Sequence, residues 1–366
     1  MNLQTYYQLA LSKIPGIGPI RFKKIIDKEP DAEKLFFSSS KYLQKHVGLN
    51  ESIATAILKF DCKKEIETEL AFCEKNNIKI LLQSDEHYPR HLKNCIDAPS
   101  VLFFRGNYQF HQQKIISIIG TRTFTDYGKR ICEELIEQLQ PYGVTIVSGL
   151  AYGIDIIAHR QAIKQNLSTI GVVAHGLDKI YPYAHKNTAM EMMEHGGLLS
   201  EFFSTTLPNR ENFPTRNRVV AGMSEATIVI ETDIKGGSMI TAELASSYNK
   251  ELYCFPGRIS DAKSAGCNYL IKSLKASLVT SADDVIQNLG WNTSFKAKPR
   301  QRQLFIEMTE DEKLVYAILI EKEAIHIDEL LQKCQLNSSQ IAGCLLSLEM
   351  QNIVVVKPGK MVSIIS

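Results

Sequence analysis

Four short loops rich in glycine, serine and threonine directly follow apolar runs of the sequence. They contain Gly120-Thr121-Arg122, Ser148-Gly149, His175-Gly176 and Lys235-Gly236-Gly237-Ser238. Most of them lead into a helical pattern, so their backbone N–H groups would meet a ligand at a helix N-terminus, where phosphate binds well. One such loop is weak evidence, because glycine at a strand-to-helix turn often has only a steric role. Four of them at one sheet edge predict a phosphate-binding site.

A basic segment over residues 209–218 adds a second kind of chemistry. It combines three arginines with an aromatic residue, and we interpret it as a loop that leads into a helix over residues 219–223. Arginine pairs with phosphate oxygens and phenylalanine offers a flat face to a base, a combination suited to single-stranded nucleic acid. A solvated basic loop that caps the sheet is the alternative. The candidate residues of this segment are Arg210, Phe213, Arg216, Asn217 and Arg218.

The elements that must position these residues alternate between apolar runs and helical patterns. Eight runs predict β-strands, at 78–82, 101–105, 115–119, 145–148, 168–173, 197–200, 227–231 and 251–255. Helical patterns lie between several of them, at 129–140, 155–166, 185–195 and 241–249. Continuous apolar runs are typical of strands buried on both faces. The sequence therefore predicts an α/β fold with a Rossmann-like, mostly parallel sheet over residues 61–290.

Two smaller domains are expected to flank this sheet. Residues 1–60 read as helical, and Pro15-Gly16-Ile17-Gly18 resembles the turn of a helix-hairpin-helix or SAM-like domain, either as a phosphate site or as a packing turn only. Residues 291–307 read as a basic linker. Residues 308–366 predict three helices and a two-stranded wing, a winged-helix pattern. Because its third helix lacks lysine and arginine and the region is acidic, we expect protein–protein contact or regulation rather than DNA binding.

The composition of the chain excludes several classes of protein. The chain has 366 residues, with 42 Lys plus Arg against 40 Asp plus Glu, so the net charge of +2 excludes an indiscriminate polycation. The apolar runs are too short for a membrane span, and the first residues lack a signal-peptide pattern. Its 8 cysteines are scattered without a CxxC pair, so we expect reduced thiols, no metal and a cytoplasmic protein.

The sequence favours a binding protein over an enzyme. The sequence has neither a GxxxxGK[ST] loop nor a strict GxGxxG loop, so no nucleotide cofactor is expected. Gly236, Gly237 and Glu243 are similar to the signature of nucleotide-monophosphate phosphoribohydrolases, which are sometimes labelled lysine-decarboxylase-like. Lys235, Met239 and Ile240 depart from that signature. We therefore expect a protein that is not an enzyme, with the phosphoribohydrolase as the alternative.

The motifs together resemble the DNA processing protein A (DprA/Smf) family of bacteria. They lie at residues 120–122, 148–155, 176–182, 213–218, 235–238, 256–257 and 266–271. The resemblance implies a homodimer that binds single-stranded DNA, protects incoming DNA and helps to load the RecA recombinase in natural transformation. The DNA-binding residues that it implies are Gly120, Arg122, Ser148, Gly149, Lys186, Arg210, Phe213, Arg216, Asn217, Arg218, Lys235, Gly236, Gly237 and Ser238. Tyr183 stands where many relatives have a basic residue, and Lys186 is the proposed substitute.

Overall fold

The computed structural model describes residues 3–110, 114–291 and 308–364, except residues 321, 323, 335, 352 and 358. It divides into two compact units, residues 1–292 and 293–366. Of the predicted basic linker, residues 292–307 lie outside the described part of the chain. Within the described part, no helix is both long enough and apolar enough to cross a membrane.

The first unit begins with a helical region. Its helices are α1 (Leu3–Lys13), α2 (Pro19–Lys28), α3 (Ala32–Phe37), α4 (Ser40–Tyr42), α5 (Glu51–Leu58) and α6 (Lys63–Lys75), with a π-helical turn at Leu43–Val47. In the predicted hairpin, Gly18 caps α2 and Pro19 occupies its first turn, where a missing N–H costs no helical bond. Phe22, Ile25 and Leu35 are buried in the core of this region.

A sheet of nine strands follows. Its strands are β1 (Lys79–Leu82), β2 (Val101–Gly106), β3 (Ile115–Ile119), β4 (Thr145–Ser148), β5 (Thr169–Val172), β6 (Gly197–Ser200), β7 (Ala226–Val229), β8 (Glu251–Cys254) and β9 (Ser277–Leu278). Their order is β1-β2-β6-β5-β4-β3-β7-β8-β9, and only the β1–β2 and β2–β6 pairs are antiparallel. The Rossmann-like, mostly parallel fold is confirmed. Strand β9 was not predicted, because it has two exposed residues and therefore no apolar run.

Helices cover both faces of the sheet. They are α7 (Arg90–Lys93), α8 (Asp126–Leu139), α9 (Ile154–Lys164), α10 (Lys186–His195), α11 (Asn212–Met223), α12 (Gly237–Ser247), α13 (Ala265–Lys272) and α14 (Ala282–Asn288), with 3₁₀ turns at Gln140–Tyr142 and Tyr183–His185. Ile118 packs into one core with α8 and α9, whereas its neighbour Ile119 packs into the other with α11 and α12. The strands are apolar throughout because both of their faces are buried.

The direction of winding reverses next to β3. From β3 the chain proceeds through β4 and β5 to β6 on one side, whereas β7 and β8 pair on the other side of β3. The loops after β3 and β7 therefore leave in opposite directions and open a crevice at the carboxyl ends of these strands. Ligands of open α/β sheets bind at such a switch point.

The second unit is a winged helix, as predicted. It contains α15 (Glu310–Ile320), β10 (Ile325–His326), α16 (Ile327–Cys334), α17 (Ser338–Met350), β11 (Val354–Lys357) and β12 (Met361–Ile364). The strands form a small antiparallel sheet in the order β10-β12-β11. Val315, Leu330 and Leu348 are fully buried between the helices and this sheet. Strand β10 was not predicted, because it is only two residues long.

Gly153 brings the loops after β3 and β4 together, and its substitution tests that contact. Its φ is +87°, and a Cβ there would lie 2.1 Å from the carbonyl oxygen of Thr121. Gly153→Ala should therefore lower the free energy of unfolding in urea by about 3 kcal/mol or more, from backbone strain and the clash.

Gly143→Ala is the matched control. Gly143 also has a positive φ, +62°, but a Cβ added there would have no atom within 4 Å. Gly143→Ala should therefore lower the free energy of unfolding only by the conformational strain, about 1–2 kcal/mol. Equal losses for the two variants would show that the Thr121 contact does not matter.

Candidate nucleic-acid interface

A cleft of about 730 Å³ lies at the switch point. The loops after β3, β4, β5 and β7 and the first turns of α11 and α12 line it, so the four loops singled out in the sequence meet at one place. Ten predicted site residues line this cleft: Gly120, Arg122, Gly149, Arg210, Phe213, Arg216, Asn217, Gly236, Gly237 and Ser238. Its lining does not include Ser148, Lys186, Arg218 or Lys235.

Arg216 forms part of the floor of the cleft. Its side chain is buried, and Nη1 donates hydrogen bonds to the carbonyl oxygens of Gly149 and Val172, at the ends of β4 and β5. Burial lowers the pKa of Arg216 to about 10, so the guanidinium remains charged at neutral pH. A Cβ on Gly149 would lie 2.6 Å from Nη1, so a larger residue there would displace the guanidinium from these carbonyl oxygens. Arg216 therefore stabilises the cleft by holding the ends of β4 and β5 together, rather than by presenting its charge to solvent.

Asp155 supplies the opposite charge beneath the same loop. Its carboxylate accepts the N–H of Gly149 at 3.1 Å and that of Ala151 at 3.4 Å. Burial raises the pKa of this carboxyl, and the positive charge of Arg216 and the two N–H groups oppose the rise. The glycine-rich loop after β4 is thus held by a carboxylate on one side and by a guanidinium on the other. These two charges fix the loop, which leaves its outer surface for a ligand.

The prediction that residues 209–218 form a loop is wrong from Asn212 onward. Helix α11 begins at Asn212, and Pro214 lies in its first turn, where proline is tolerated because those N–H groups have no partner in the helix. The helix turns Arg216 and Arg218 toward the protein interior. Arg210 precedes the helix and remains exposed.

Arg218 belongs to the protein interior and not to the cleft. It forms an ion pair with Glu201 and also donates to the carbonyl oxygen of Asp97. Burial raises the pKa of Glu201 to about 7, and the charge of Arg218 opposes the rise. A phosphate would have to break this pair, so we withdraw the direct DNA contact that was predicted for Arg218.

Cationic and aromatic side chains meet at this floor, around the half-buried ring of Phe213. The guanidinium carbon of Arg122 is 5.7 Å from the centroid of the Phe213 ring, and that of Arg216 is 5.9 Å away. The Tyr181 ring lies edge-on to Phe213, with 6.3 Å between centroids. Arg122 is exposed, and Tyr181 keeps 47% of its surface accessible. Arginine and aromatic faces are therefore presented side by side to the cleft.

Buried Glu231 positions the loop that presents Arg122. Its carboxylate accepts the N–H of Thr125 at 2.9 Å and its hydroxyl at 2.5 Å, and its carbonyl oxygen accepts the N–H of Thr121 at 2.7 Å. Lys263 donates to the hydroxyl of Thr123. The backbone on both sides of Arg122 is therefore fixed before any ligand binds, which reduces the entropy cost of binding.

The other predicted residues have more limited roles. The hydroxyl of Ser148 is buried and donates to the carbonyl oxygen of Ile118 at 2.6 Å, and that of Ser238 donates to Thr232 at 2.6 Å. Lys235 is exposed beside the cleft. Lys186 is exposed, with its ammonium 5.5 Å from the ring centroid of Tyr183. The DNA contacts predicted for Lys186 and Lys235 stay predictions.

Two aromatic residues of the cleft were not predicted from the sequence. Tyr152 and Tyr181 both line it and keep about half of their surface exposed, 49% and 47%. Tyr152 interrupts the glycine-rich loop after β4, and an aromatic residue in such a loop could have been predicted to face the ligand. Tyr181 precedes a proline in a loop without a periodic pattern of apolar residues, so the sequence did not indicate which way its side chain points.

Of the residues of the enzymatic alternative, Gly236 and Gly237 line the cleft and Glu243 does not. Glu243 is absent from the lining of the cleft and lines a smaller pocket with Lys275. The described residues contain no group of three or more histidine, cysteine or acidic side chains that could hold a metal ion. His159 and Asp155, which share a helix face, have separate partners, because the His159 ring bonds Thr169 at 2.7 Å.

Comparison with known proteins gives a consistent set of relatives. The family model of DNA recombination-mediator protein A matches residues 79–290, and that of the DprA winged helix domain matches residues 297–360. Protein Smf of Escherichia coli (strain K12) is 31% identical over 96% of this chain and 92% of its own length. DNA processing protein DprA of Bacillus subtilis is 36% identical over 65% of this chain and 82% of its own length.

Two solved structures are similar as well. DNA processing protein A from Streptococcus pneumoniae aligns with a TM-score of 0.66 and 30% identity, over 77% of this chain and 97% of that one. DNA processing protein A from Helicobacter pylori, described for its single-stranded DNA binding mode, aligns with a TM-score of 0.53 and 32% identity, over 58% of this chain and 96% of that one.

The buried His159 under the cleft predicts a loss of stability in acid. Burial, together with the nearby His185 and Arg216, lowers the pKa of His159 to about 3, so the ring is neutral in the folded protein. Because the unfolded chain binds this proton near pH 6.5, the contribution of His159 to stability is lost as pH falls below that value. Between pH 7.5 and pH 5 it should amount to about 2 kcal/mol of the free energy of unfolding.

His159→Asn should remove that part of the pH dependence while keeping an atom able to bond Thr169. His46→Asn, a change at an exposed ring in the helical region, is the control and should keep the acid-induced loss that His159 causes. Urea denaturation of the three proteins at both pH values measures the effect. The same acid-induced loss in His159→Asn as in the wild type would contradict the assignment.

Proposed function

Because the chain belongs to the DNA recombination-mediator protein A family, also called DNA processing protein A, we propose that its switch-point cleft binds single-stranded DNA. The observation that carries the proposal is the grouping of exposed Arg122 and Tyr181 around the half-buried ring of Phe213 in one cleft. Arg122 and Arg210 supply charge for phosphates. The aromatic rings supply faces for bases.

The geometry favours a single strand over a duplex. Tyr152, Tyr181 and Phe213 line a recessed cleft, and only unpaired, unstacked bases can reach such faces. Phosphate contacts and stacking contain little information about base identity, so we expect binding with weak sequence preference. The relative from Helicobacter pylori, described for its single-stranded DNA binding mode, supports the same choice of ligand.

We propose binding without catalysis. Asp155, beneath the cleft, is held by two backbone N–H groups, and Glu243 lies outside the cleft lining. Incubation with nucleoside monophosphates followed by detection of free base tests the alternative. Release of free base above the rate of a heat-denatured sample would favour the phosphoribohydrolase.

The cellular role that we propose rests on the family resemblance. The chain would protect incoming single strands and help to load RecA onto them in the cytoplasm during natural transformation. Homodimerisation is supported by apolar side chains exposed in the part of the chain that includes the edge strand β9, namely Ile259, Tyr269, Leu274 and Leu278. In the second unit, α17 exposes Leu346 and Met350 without a basic residue, which supports a contact with protein.

Arg122→Ala tests the proposed phosphate contact. We expect weaker binding of oligodeoxythymidine and mixed-sequence oligonucleotides alike, with the slope of log affinity against log salt reduced by roughly 0.7–1. Fluorescence anisotropy over a salt series measures the slope. Arg160→Ala, on α9 and outside the cleft lining, is the matched control and should leave the slope unchanged. An unchanged slope in Arg122→Ala would remove this residue from the phosphate path.

Arg218→Ala should behave differently from Arg122→Ala. It leaves the buried Glu201 carboxyl without its cation, so it should cost about 3–5 kcal/mol of stability. Its salt slope should equal that of the wild type under conditions where the variant is folded. A reduced slope would restore Arg218 to the phosphate path.

Phe213→Ala tests stacking. Loss of the ring should weaken binding of single-stranded DNA by about 1–3 kcal/mol, and Phe213→Tyr, which keeps the ring, should bind nearly as the wild type does. Anisotropy at one salt concentration suffices, because charge is unchanged. Equal affinity of Phe213→Ala and Phe213→Tyr would show that no base stacks there.

A further inference from the structure

The loop between β6 and α11 connects the helical region to the cleft. It covers residues 201–211, and its last part brings Pro208 and Arg210 to the cleft lining. Its geometry therefore decides where a cationic group of the proposed DNA site lies. The contacts that hold this loop therefore also determine the position of Arg210 in the cleft.

Glu69 makes three hydrogen bonds to Ser204 of this loop. It lies on α6, is buried with 4% of its surface exposed, and accepts the N–H of Ser204 with its two oxygens at 2.9 and 3.0 Å. It also accepts the hydroxyl of Ser204 at 2.5 Å. One carboxylate thus takes up both donors of Ser204. Hydrogen bonds to a buried charged acceptor are among the stronger ones in proteins.

The residue after Ser204 has a strained backbone, which the hydrogen bonds from Glu69 help to hold. Thr205 has a φ of +71°, a left-handed conformation that a β-branched residue adopts only when its surroundings impose it. The following Thr206 accepts the N–H of Gly176 at 3.1 Å, in the loop after β5 that also lines the cleft through His175. A shift at Ser204 would therefore move the loop relative to the cleft.

Helix α6 packs against α1 of the same helical region. Lys13 of α1 pairs with Glu65 at 2.6 Å, and its ammonium lies 4.4 Å from the ring centroid of Phe203, next to Ser204. Leu9 and Ile66 are fully buried in one cluster. Glu69 also precedes residues 79–290, which the family model matches. The contact thus comes from outside the segment that the family model covers.

We propose that Glu69 is a positioning residue through which the N-terminal helical region sets the affinity of the cleft for single-stranded DNA. The inference rests on the proposed function. Glu69 does not reach the cleft lining; it holds Ser204, which fixes the strained turn at Thr205 and with it the path of the chain to Arg210.

Glu69→Gln in the full chain tests this proposal. The amide keeps the size of the side chain but places an NH₂ group against a donor of Ser204. We expect affinity for labelled oligodeoxythymidine to fall about tenfold, or about 1.4 kcal/mol. Hydrogen exchange of the amides over residues 204–211 should accelerate. A two- to threefold loss, on the order of 0.5 kcal/mol, is expected for Ser204→Ala, which loses only the hydroxyl bond.

Glu29→Gln is the matched control. Glu29 is another buried carboxylate of the helical region, 8% exposed, but its partners Lys34 and Tyr42 belong to that region. It should lower stability and leave DNA affinity and exchange over residues 204–211 unchanged. Thermal unfolding of each variant monitors stability separately from binding.

The outcomes are distinct. Weakened binding in Glu69→Gln but not in Glu29→Gln supports the proposal, whereas equal affinities in both variants and the wild type, or equal losses in both variants, overturn it. If Glu69→Gln does not fold, Ser204→Ala decides: a loss supports the proposal and wild-type affinity overturns it. Failure of the wild type to bind the oligonucleotide would instead contradict the proposed function.

Discussion

The buried guanidinium of Arg216 holds together the ends of β4 and β5 and the start of α11. A charge in this position is costly to bury, and it is stable here because two carbonyl oxygens accept its protons and Asp155 lies nearby. The cleft depends on it: its hydrogen bonds tie α11 to the loop after β4 and to the end of β5, and a Cβ at position 149 would collide with the guanidinium.

The arginines in and near the site are of two kinds, buried and exposed. Arg216 and Arg218 satisfy carbonyl and carboxylate oxygens of the protein itself, whereas Arg122 and Arg210 remain exposed. A rigid floor beneath exposed cationic and aromatic groups lowers the entropy cost of binding a flexible strand. Near-neutral net charge, +2 over the whole chain, is compatible with such a local concentration of charge.

The sequence predicted most of the fold because its signals are local. Continuous runs such as Ile115–Ile119 identify strands buried on both faces, and glycine-rich loops after them identify the ligand edge. The burial of Arg216 and Arg218 could not be predicted, because it depends on distant partners such as Glu201 and Val172. The role of Glu69 could not be predicted for the same reason, since Ser204 lies 135 residues away.

The most direct measurement compares the affinity for a single strand with that for a duplex of the same charge, by fluorescence anisotropy over a series of salt concentrations. Aromatic groups in a recessed cleft predict that the single strand binds at least about tenfold more tightly, and that this preference persists at high salt because stacking is insensitive to ions. Equal affinity for both, with a preference for neither at any salt concentration, would contradict a cleft that recognises unpaired bases.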